Sequence, residues 1–169
     1  MTTTNFLGIP VEGDIIKSSR VAQQTLEEFQ PLLQAVLDDP TMVEFGWRQA
    51  TPYFNDGEPC EFSAHGAWFR TDADADVEDT YELEVDYSHP TLGTVSGGEW
   101  VDDPAGTGRR IKVGAKYEGP DEARFERCKA LHAAIEGGHF YDVLINAFGD
   151  HAYVTVRREG IEVEYYEHD

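Results

Sequence analysis

The stretch between Arg70 and Arg109 contains no lysine or arginine, and this feature constrains the fold most. Eleven carboxylates fall within it, at Asp72, Asp74, Asp76, Glu78, Asp79, Glu82, Glu84, Asp86, Glu99, Asp102 and Asp103. A block of one charge sign in a folded chain is solvated, binds cations or faces a positively charged partner. We therefore expect this segment to lie on the surface. Its charge indicates what kind of partner the protein binds, but it does not indicate a chemical reaction.

The whole chain shares this acidity. Acidic residues number 33 against 13 basic ones, and the formal net charge is -20. Direct binding to nucleic acid or to an anionic membrane is disfavoured, because lysine and arginine hold such partners. The 40% hydrophobic and 12% aromatic content is nevertheless typical of a packed domain. We predict one domain over residues 1–169, with the acidic segment 72–103 inside it.

The chain has no features of a targeted or membrane-spanning protein. Its N-terminus lacks a basic region followed by a continuous apolar run, and no window approaches the roughly 18 apolar residues of a membrane span. Cys60 and Cys128 lie far apart and belong to no metal-ligand pattern, which favours a reduced setting. These features predict a soluble, cytoplasmic protein.

Apolar residues at spacings of three and four predict three helices. Ser18 and Ser19 are the expected N-caps of the first, which Pro31 either kinks or divides in two. The second begins with Pro120 at its first position and stops at a pair of glycines, and a short third ends at Gly149.

Alternating apolar and polar residues predict the strands. Two hairpins are expected, over residues 42–70 and 152–166, and a further strand over 81–87 with an acidic outer face. Residues 88–108 are interpreted as a long loop that carries Trp100, followed by a strand over 109–117. The pattern predicts an α+β fold, with an antiparallel sheet of two or more hairpins packed against about three helices.

Metal and catalytic signatures are incomplete. The run from Asp72 to Glu78 resembles the start of a calcium loop, but Val77 and Leu83 occupy positions that require glycine and a bidentate glutamate. The histidines form no metal-ligand pair, and Glu58 and Glu61 beside Cys60 would raise its thiol pKa. We therefore predict no metal and no other cofactor. The main basic patch, formed by Arg109, Arg110, Lys112 and Lys116, is expected to pair with the protein's own carboxylates, and a small anion site is the alternative.

Two readings of the acidity remain open. A strand presents one carboxylate every 6.6 to 6.8 Å or so, whereas duplex DNA carries one charge per roughly 1.7 Å of axis. A DNA mimic therefore needs a second acidic row, and residues 72–79 and 162–169 are the candidates. An acid surplus with lysine at only four positions is also typical of proteins from saline environments and GC-rich genomes.

The segment from Trp47 to Phe62 is the most motif-like part of the chain. Its order, Trp-x-Gln-x-Thr-Pro-Tyr-Phe-Asn-Asp-Gly-x-x-Cys-x-Phe, resembles a family of uncharacterised small proteins of bacteriophages and bacteria. The resemblance implies a phage or bacterial origin. Read physically, Asn55, Asp56 and Gly57 form a turn between two strands.

Two functional hypotheses follow. The first is an interaction protein that occupies a basic surface of a host protein, most plausibly a nucleic-acid-binding one, as a mimic of DNA or RNA. Its expected contact residues are Asp72, Asp74, Asp76, Glu78, Asp79, Glu82, Glu84 and Asp86, with Trp100 and Tyr87 as apolar anchors. The alternative is a small-ligand or metal-binding domain, even an enzyme, with Gln49, Tyr53, Asn55 and Asp56 lining its site. A virion-associated role is a third possibility, and the oligomeric state is not determined.

Overall fold

The computed structural model describes residues 4–13, 21–53, 56–57, 60–86 and 89–166. These residues contain three helices, α1 (Leu26–Leu37), α2 (Glu122–Glu136) and α3 (Tyr141–Phe148). They also contain ten strands: β1 (Thr4–Phe6), β2 (Ile9–Val11), β3 (Met42–Ala50), β4 (Ser63–Thr71), β5 (Thr94–Ser96), β6 (Glu99–Asp102), β7 (Arg110–Val113), β8 (Lys116–Glu118), β9 (Ala152–Arg157) and β10 (Gly160–Tyr165). The α+β class predicted from the sequence is confirmed.

A four-stranded antiparallel sheet forms the centre of the fold, in the order β10-β9-β3-β4. Both predicted hairpins are confirmed, since β3 pairs with β4 and β9 pairs with β10. The hairpins join through β3 and β9, where Trp47 lies opposite Val154. Consequently β4 and β10 are the two edges of this sheet, and β1 pairs with β2 in a separate small hairpin.

The helices cover one face of the sheet and close the core. Trp47 on β3 is fully buried and meets the ring of Phe148 edge-on, with 5.6 Å between ring centroids. Phe29 of α1 contacts Phe140, just before α3, at 5.2 Å. Alternate residues of β3 and β9 face these helices, because side chains alternate across a strand. The period-two pattern of the sequence therefore supplies the core.

Helix α1 is a single helix in spite of Pro31, which lies inside it. Thr25 is its N-cap and forms a capping box with Glu28. The predicted caps Ser18 and Ser19 lie outside the described residues. In α2 the N-cap is Asp121, whose side chain accepts a hydrogen bond from the Arg124 backbone N–H. Pro120 therefore precedes the cap and does not occupy the first helical position, contrary to the prediction.

Residues 81–86 do not form the predicted strand. Thr80–Leu83 is a 3₁₀ turn, and its N-cap Asp79 accepts a hydrogen bond from the backbone N–H of Tyr81. Such a local bond offers the backbone an alternative to a sheet ladder. Leu83 is buried as expected, but Tyr81 is 60% exposed and only an isolated bridge joins Glu84 to Trp68. Tyr87 lies outside the described residues.

The predicted loop over 88–108 is also wrong, because most of it belongs to a two-stranded arm. β5 pairs with β8 and β6 pairs with β7, so Thr94–Glu118 runs out and back as one interrupted hairpin. Gly97, Gly98 and Gly114 have positive φ angles where the two pairs of strands meet. Short strands separated by glycines give no long alternation, and the sequence therefore indicated a loop.

A buried ion-pair cluster joins the end of α1 to α2. The Asp39 carboxylate accepts hydrogen bonds from Arg124 Nε at 3.0 Å and Arg127 Nη2 at 3.2 Å. It also accepts hydrogen bonds from the backbone N–H and hydroxyl of Thr41. Burial raises the pKa of Asp39, but the bonds from Thr41 and Arg124 outweigh it and lower the pKa to about 2.

This low pKa predicts acid sensitivity. A folded-state pKa of about 2 against 3.8 means that the unfolded chain binds the proton first. The stabilisation, about 2.5 kcal/mol, is thus present above pH 4 and is lost as the pH falls toward 2. We expect Asp39→Asn to lose about this free energy of unfolding at neutral pH, and its difference from wild type to shrink over that window.

Urea unfolding at a series of pH values measures this effect. Asp38→Asn is the matched control, because Asp38 is the adjacent carboxylate and is exposed. Equal losses in the two variants would contradict the assignment to Asp39.

Candidate interaction surface

The acidic segment lies beyond the outer edge of β4, where Glu84 bridges to Trp68. Five exposed carboxylates between residues 72 and 82 form what we call the acidic ridge: Asp72, Asp76, Glu78, Asp79 and Glu82. Within the part of the chain that the structure describes, no lysine, arginine or histidine nitrogen lies within 4 Å of a ridge carboxylate. Among the described residues, the ridge is therefore a run of negative charge that no cationic side chain within 4 Å neutralises.

Asp74 does not belong to this exposed group. It is 1% exposed, and its Oδ2 accepts hydrogen bonds from the Thr71 backbone N–H, the Thr71 hydroxyl and the Thr91 hydroxyl at 2.8 to 3.0 Å. A buried carboxylate of this kind cannot contact a partner. The expectation that Asp74 binds one is corrected, and the residue instead anchors the ridge from inside.

His89 completes the anchor at the other end of the segment. Its Nε2 donates to the Phe69 carbonyl at 2.6 Å, and its Nδ1 accepts from the backbone N–H groups of Thr91 and Leu92. Burial lowers the pKa of His89, although the Phe69 bond and the Asp74 charge oppose that shift. The neutral ring thus links β4 to residues 89–92, which closes the base of the acidic segment.

Arg70 holds the same segment from β4. Its Nη1 donates to the carbonyl oxygens of Asp74 at 2.7 Å and Val77 at 2.6 Å. Arg70 Nε lies 3.5 Å from Glu44 on the neighbouring strand, so the same guanidinium joins β3 to the ridge backbone. The ridge therefore has a fixed backbone, although its side chains are in water.

Glu84 and Asp86 are turned toward α2. Burial raises the pKa of Glu84, and the nearby Glu136 raises it further. Asp86 lies 2.8 Å from Lys129 Nζ and 3.0 Å from His132 Nε2. The charge of Asp86 is compensated and Glu84 is half-buried, so neither extends the free acidic surface as expected.

The second acidic row is not beside the first. Glu162 and Glu164 lie on β10, at the opposite edge of the sheet from the ridge. Three strand spacings, about 14 Å, separate β10 from β4. Between them a ladder of ion pairs crosses the sheet, from Arg70 through Glu44 and Arg157 to Glu162. Glu167 and Asp169 lie outside the described residues.

The residues of the predicted ligand site do not converge. Gln49 is fully buried; its Oε1 accepts from Trp47 Nε1, and its Nε2 donates to the carbonyls of Leu144 and Gly149. Tyr53 is exposed and stacks on His151 at 5.0 Å. Asp56 is exposed in a turn with a φ of 38°, and Asn55 lies outside the described residues. Gln49 has a structural role and cannot reach a ligand.

Other reactive groups are dispersed. Cys128 is buried, and burial raises the pKa of its thiol to about 12, whereas Cys60 is exposed. Among the described residues, no three histidine, cysteine or acidic side chains are grouped in a way that could hold a metal ion. None of the described helices has the length and apolar character needed to cross a membrane.

Trp100 lies on β6 of the arm. Its ring is exposed, with Lys112 Nζ 6.0 Å from the ring centroid. Arg109, Arg110, Lys112 and Lys116 also lie on the arm, and none is within 4 Å of a carboxylate in the described chain. The expected self-pairing of this basic patch is therefore not found.

The sequence did not single out the open edge at β10. Ile161, Val163 and Tyr165 are 48%, 47% and 70% exposed, although they continue the apolar face of the sheet. Their alternation with Glu162 and Glu164 was visible and predicted a strand. Its position at an edge of the sheet depends on which strands pair with each other, and no local sequence pattern predicts strand pairing.

Comparison with known proteins found no matching family model, no similar curated protein and no similar solved structure.

Proposed function

We propose that this protein binds a basic surface of another protein through the acidic ridge. The observation that supports the proposal most directly is the run of five exposed, uncompensated carboxylates on a segment fixed by Asp74, His89 and Arg70. The partner is a host protein whose basic surface normally binds DNA or RNA. The protein acts as a phage-type inhibitor in the host cytoplasm and competes electrostatically for that surface.

The fixed base of the ridge favours binding over mere solvation. A solvated acidic loop needs no buried carboxylate, histidine and guanidinium beneath it. A preorganised ridge binds with a smaller entropic cost, because its backbone does not become ordered on association. Charge complementarity then increases the association rate and makes the affinity salt-dependent.

The ridge covers a limited part of a nucleic-acid footprint. Glu162 and Glu164 lie on β10, about 14 Å from β4 and farther from the ridge, and Arg157 neutralises Glu162. The five ridge residues therefore carry the electrostatic contact, while Asp74 supports them from below. The partner needs a basic patch the size of one such segment and not a groove that grips two parallel rows.

Charge reversal in the ridge tests the proposal. We expect Asp76→Lys, Glu78→Lys and Glu82→Lys together to abolish partner binding, because three attractive contacts become repulsive. The measurement is a tagged pulldown from bacterial lysate at about 50 mM and about 500 mM salt, with elution by duplex DNA as a competitor. A basic protein retained at low salt and displaced by DNA is the expected result.

The control variant carries Glu99→Lys, Glu126→Lys and Glu159→Lys, three exposed acids that are not part of the ridge. Each replacement adds two charges, so both variants move from -20 to -14. Retention of the partner by the control and loss by the ridge variant would localise the contact. Equal binding by wild type and the ridge variant would refute it.

A further inference from the structure

Strand β10 has an unpaired outer edge among the strands that the structure describes. Two residues connect it to β9, so Arg157 and Gly160 face each other. The Tyr166 N–H donates to the His151 carbonyl at 2.7 Å in the same register. Hydrogen-bonded and non-hydrogen-bonded pairs alternate along an antiparallel ladder. The backbone N–H and C=O groups of Ile161, Val163 and Tyr165 therefore point outward.

The side chains of these three residues form an apolar strip along the same edge. Ile161 and Val163 lie opposite Val156 and Val154, which places them on the helix-covered face of the sheet. Both side chains are about half exposed. A groove of about 330 Å³ lies beside them, lined mainly by Leu26, Phe29, Leu33, Val143, Phe148 and Ile161.

The other face of β10 is acidic. Arg157 Nη1 donates to Glu162 at 2.9 Å, whereas Glu164 has no cationic nitrogen within 4 Å in the described chain. The hydrogen bond and charge of Glu162 raise the pKa of Glu164. A positive side chain placed opposite Glu164 would relieve this repulsion.

The apolar and acidic faces of β10 determine which kind of strand can pair with its outer edge. A second copy related by a two-fold axis would place glutamates opposite glutamates on the same face, which is destabilising. Unused edges are commonly blocked by proline or lysine, and β10 contains neither. An added strand with apolar residues on one face and basic residues on the other would pack against the apolar face of β10 and pair with the glutamates on its acidic face.

We propose that β10 accepts an extended segment of a partner protein, in which apolar and basic residues alternate, as a fifth strand of the sheet. Main-chain hydrogen bonds to Ile161, Val163 and Tyr165 provide affinity, and the alternation provides specificity. The basic residues of this segment are inferred from Glu164 on β10, and they agree with the basic partner of the proposed function without depending on it. The inference concerns a surface across the sheet from the acidic ridge.

A synthetic peptide of about seven alternating lysine and valine residues is the probe, long enough to span the strand. We expect Val163→Pro to bind it at least about tenfold more weakly, since proline removes the outward N–H and obstructs the added strand. The β9 ladder does not use that N–H, so the thermal midpoint should change little. Val163→Thr is the matched control, because it keeps the N–H and the branched shape.

Two further measurements separate this edge from the ridge. Glu162→Gln with Glu164→Gln should remove the preference for the lysine peptide over an alternating threonine–valine peptide. The variant with Asp76→Lys, Glu78→Lys and Glu82→Lys should bind the lysine peptide with the same affinity as wild type. A peptide N-methylated at alternate backbone positions should not bind, which tests strand addition without altering the protein.

Equal peptide affinity of wild type and a folded Val163→Pro variant would overturn the inference. Loss of peptide binding in the ridge variant but not in Val163→Pro would also overturn it, because the peptide would then bind the ridge alone. Failure of the peptide to bind wild type would overturn the strand-addition idea and leave the pulldown result for the ridge unaffected.

Discussion

Replacement of Gln49 by leucine is expected to lower the free energy of unfolding by about 3 to 5 kcal/mol, since each buried polar group left without a partner costs about 1 to 3 kcal/mol. The leucine side chain has a similar size but cannot accept from Trp47 Nε1 or donate to the carbonyls of Leu144 and Gly149. Gln49 is fully buried, and its bonds to Trp47 and Leu144 are buried as well, so water cannot replace those two partners. Equilibrium urea unfolding measures the loss.

Two comparisons make this result specific to the buried amide. Gln30→Leu changes an exposed glutamine on α1 and should stay within about 0.5 kcal/mol of wild type. In the Gln49→Leu background the indole N–H of Trp47 has lost its acceptor, and Trp47→Phe removes it. Trp47→Phe should therefore cost less free energy of unfolding in that background than in wild type, which is the sign of coupling between the two sites. A nearly neutral Gln49→Leu variant would show that the amide does not tie β3 to the end of α3.

Replacement of Asp74 by alanine should destabilise the base of the acidic ridge. Three hydrogen bonds to its Oδ2 disappear, and the buried backbone N–H of Thr71 loses its acceptor. We expect a loss of about 2 to 4 kcal/mol in the free energy of unfolding. Increased amide hydrogen exchange over residues 71–92 should accompany it, because the network joins both ends of that segment.

Asp76→Ala is the matched control for this prediction. Asp76 is on the ridge and exposed, so its removal should leave stability within about 0.5 kcal/mol. Asp76→Ala should weaken partner binding by the loss of one contact. Asp74→Ala should weaken it more, because the backbone of the whole ridge is then no longer held in place. If Asp74→Ala left both hydrogen exchange and partner binding unchanged, Asp74 would not be the anchor of the ridge.

The ridge and the β10 edge suggest a division of roles in binding. The ridge is exposed, charged and not paired with any cation in the described part of the chain, which suits long-range attraction and fast association. The edge offers directional backbone groups beside an apolar groove, which suits slow dissociation. The two surfaces lie at opposite edges of one sheet, so variants in each can be made and measured independently.

Some elements could be predicted from local patterns alone. The apolar alternation around Trp47 and Val154 identified both hairpins, because period two is a property of neighbouring residues. Gly149 ended α3 at the expected position. The segment over 81–87 shows the limit of this logic, since Asp79 capped a 3₁₀ turn where alternation indicated a strand.

For the candidate site, the sequence predicted only the position and the sign of the charge. The sequence located the acidic segment but could not distinguish exposed Asp76 from buried Asp74, because both are aspartates in the same alternating run. The difference arises from Thr91 and His89, which are distant in sequence and close in space. The same reason explains Gln49, which is polar in sequence and fully buried in the fold.

By itself, the sequence determined the α+β class, the two hairpins and the sign of the surface charge, because periodicity and charge are local and additive. The tertiary structure decided which carboxylates face water, that residues 94–118 form an arm, and that β10 is left as an edge. These outcomes depend on contacts between residues far apart in the chain, whose burial and pairing free energies no local pattern encodes.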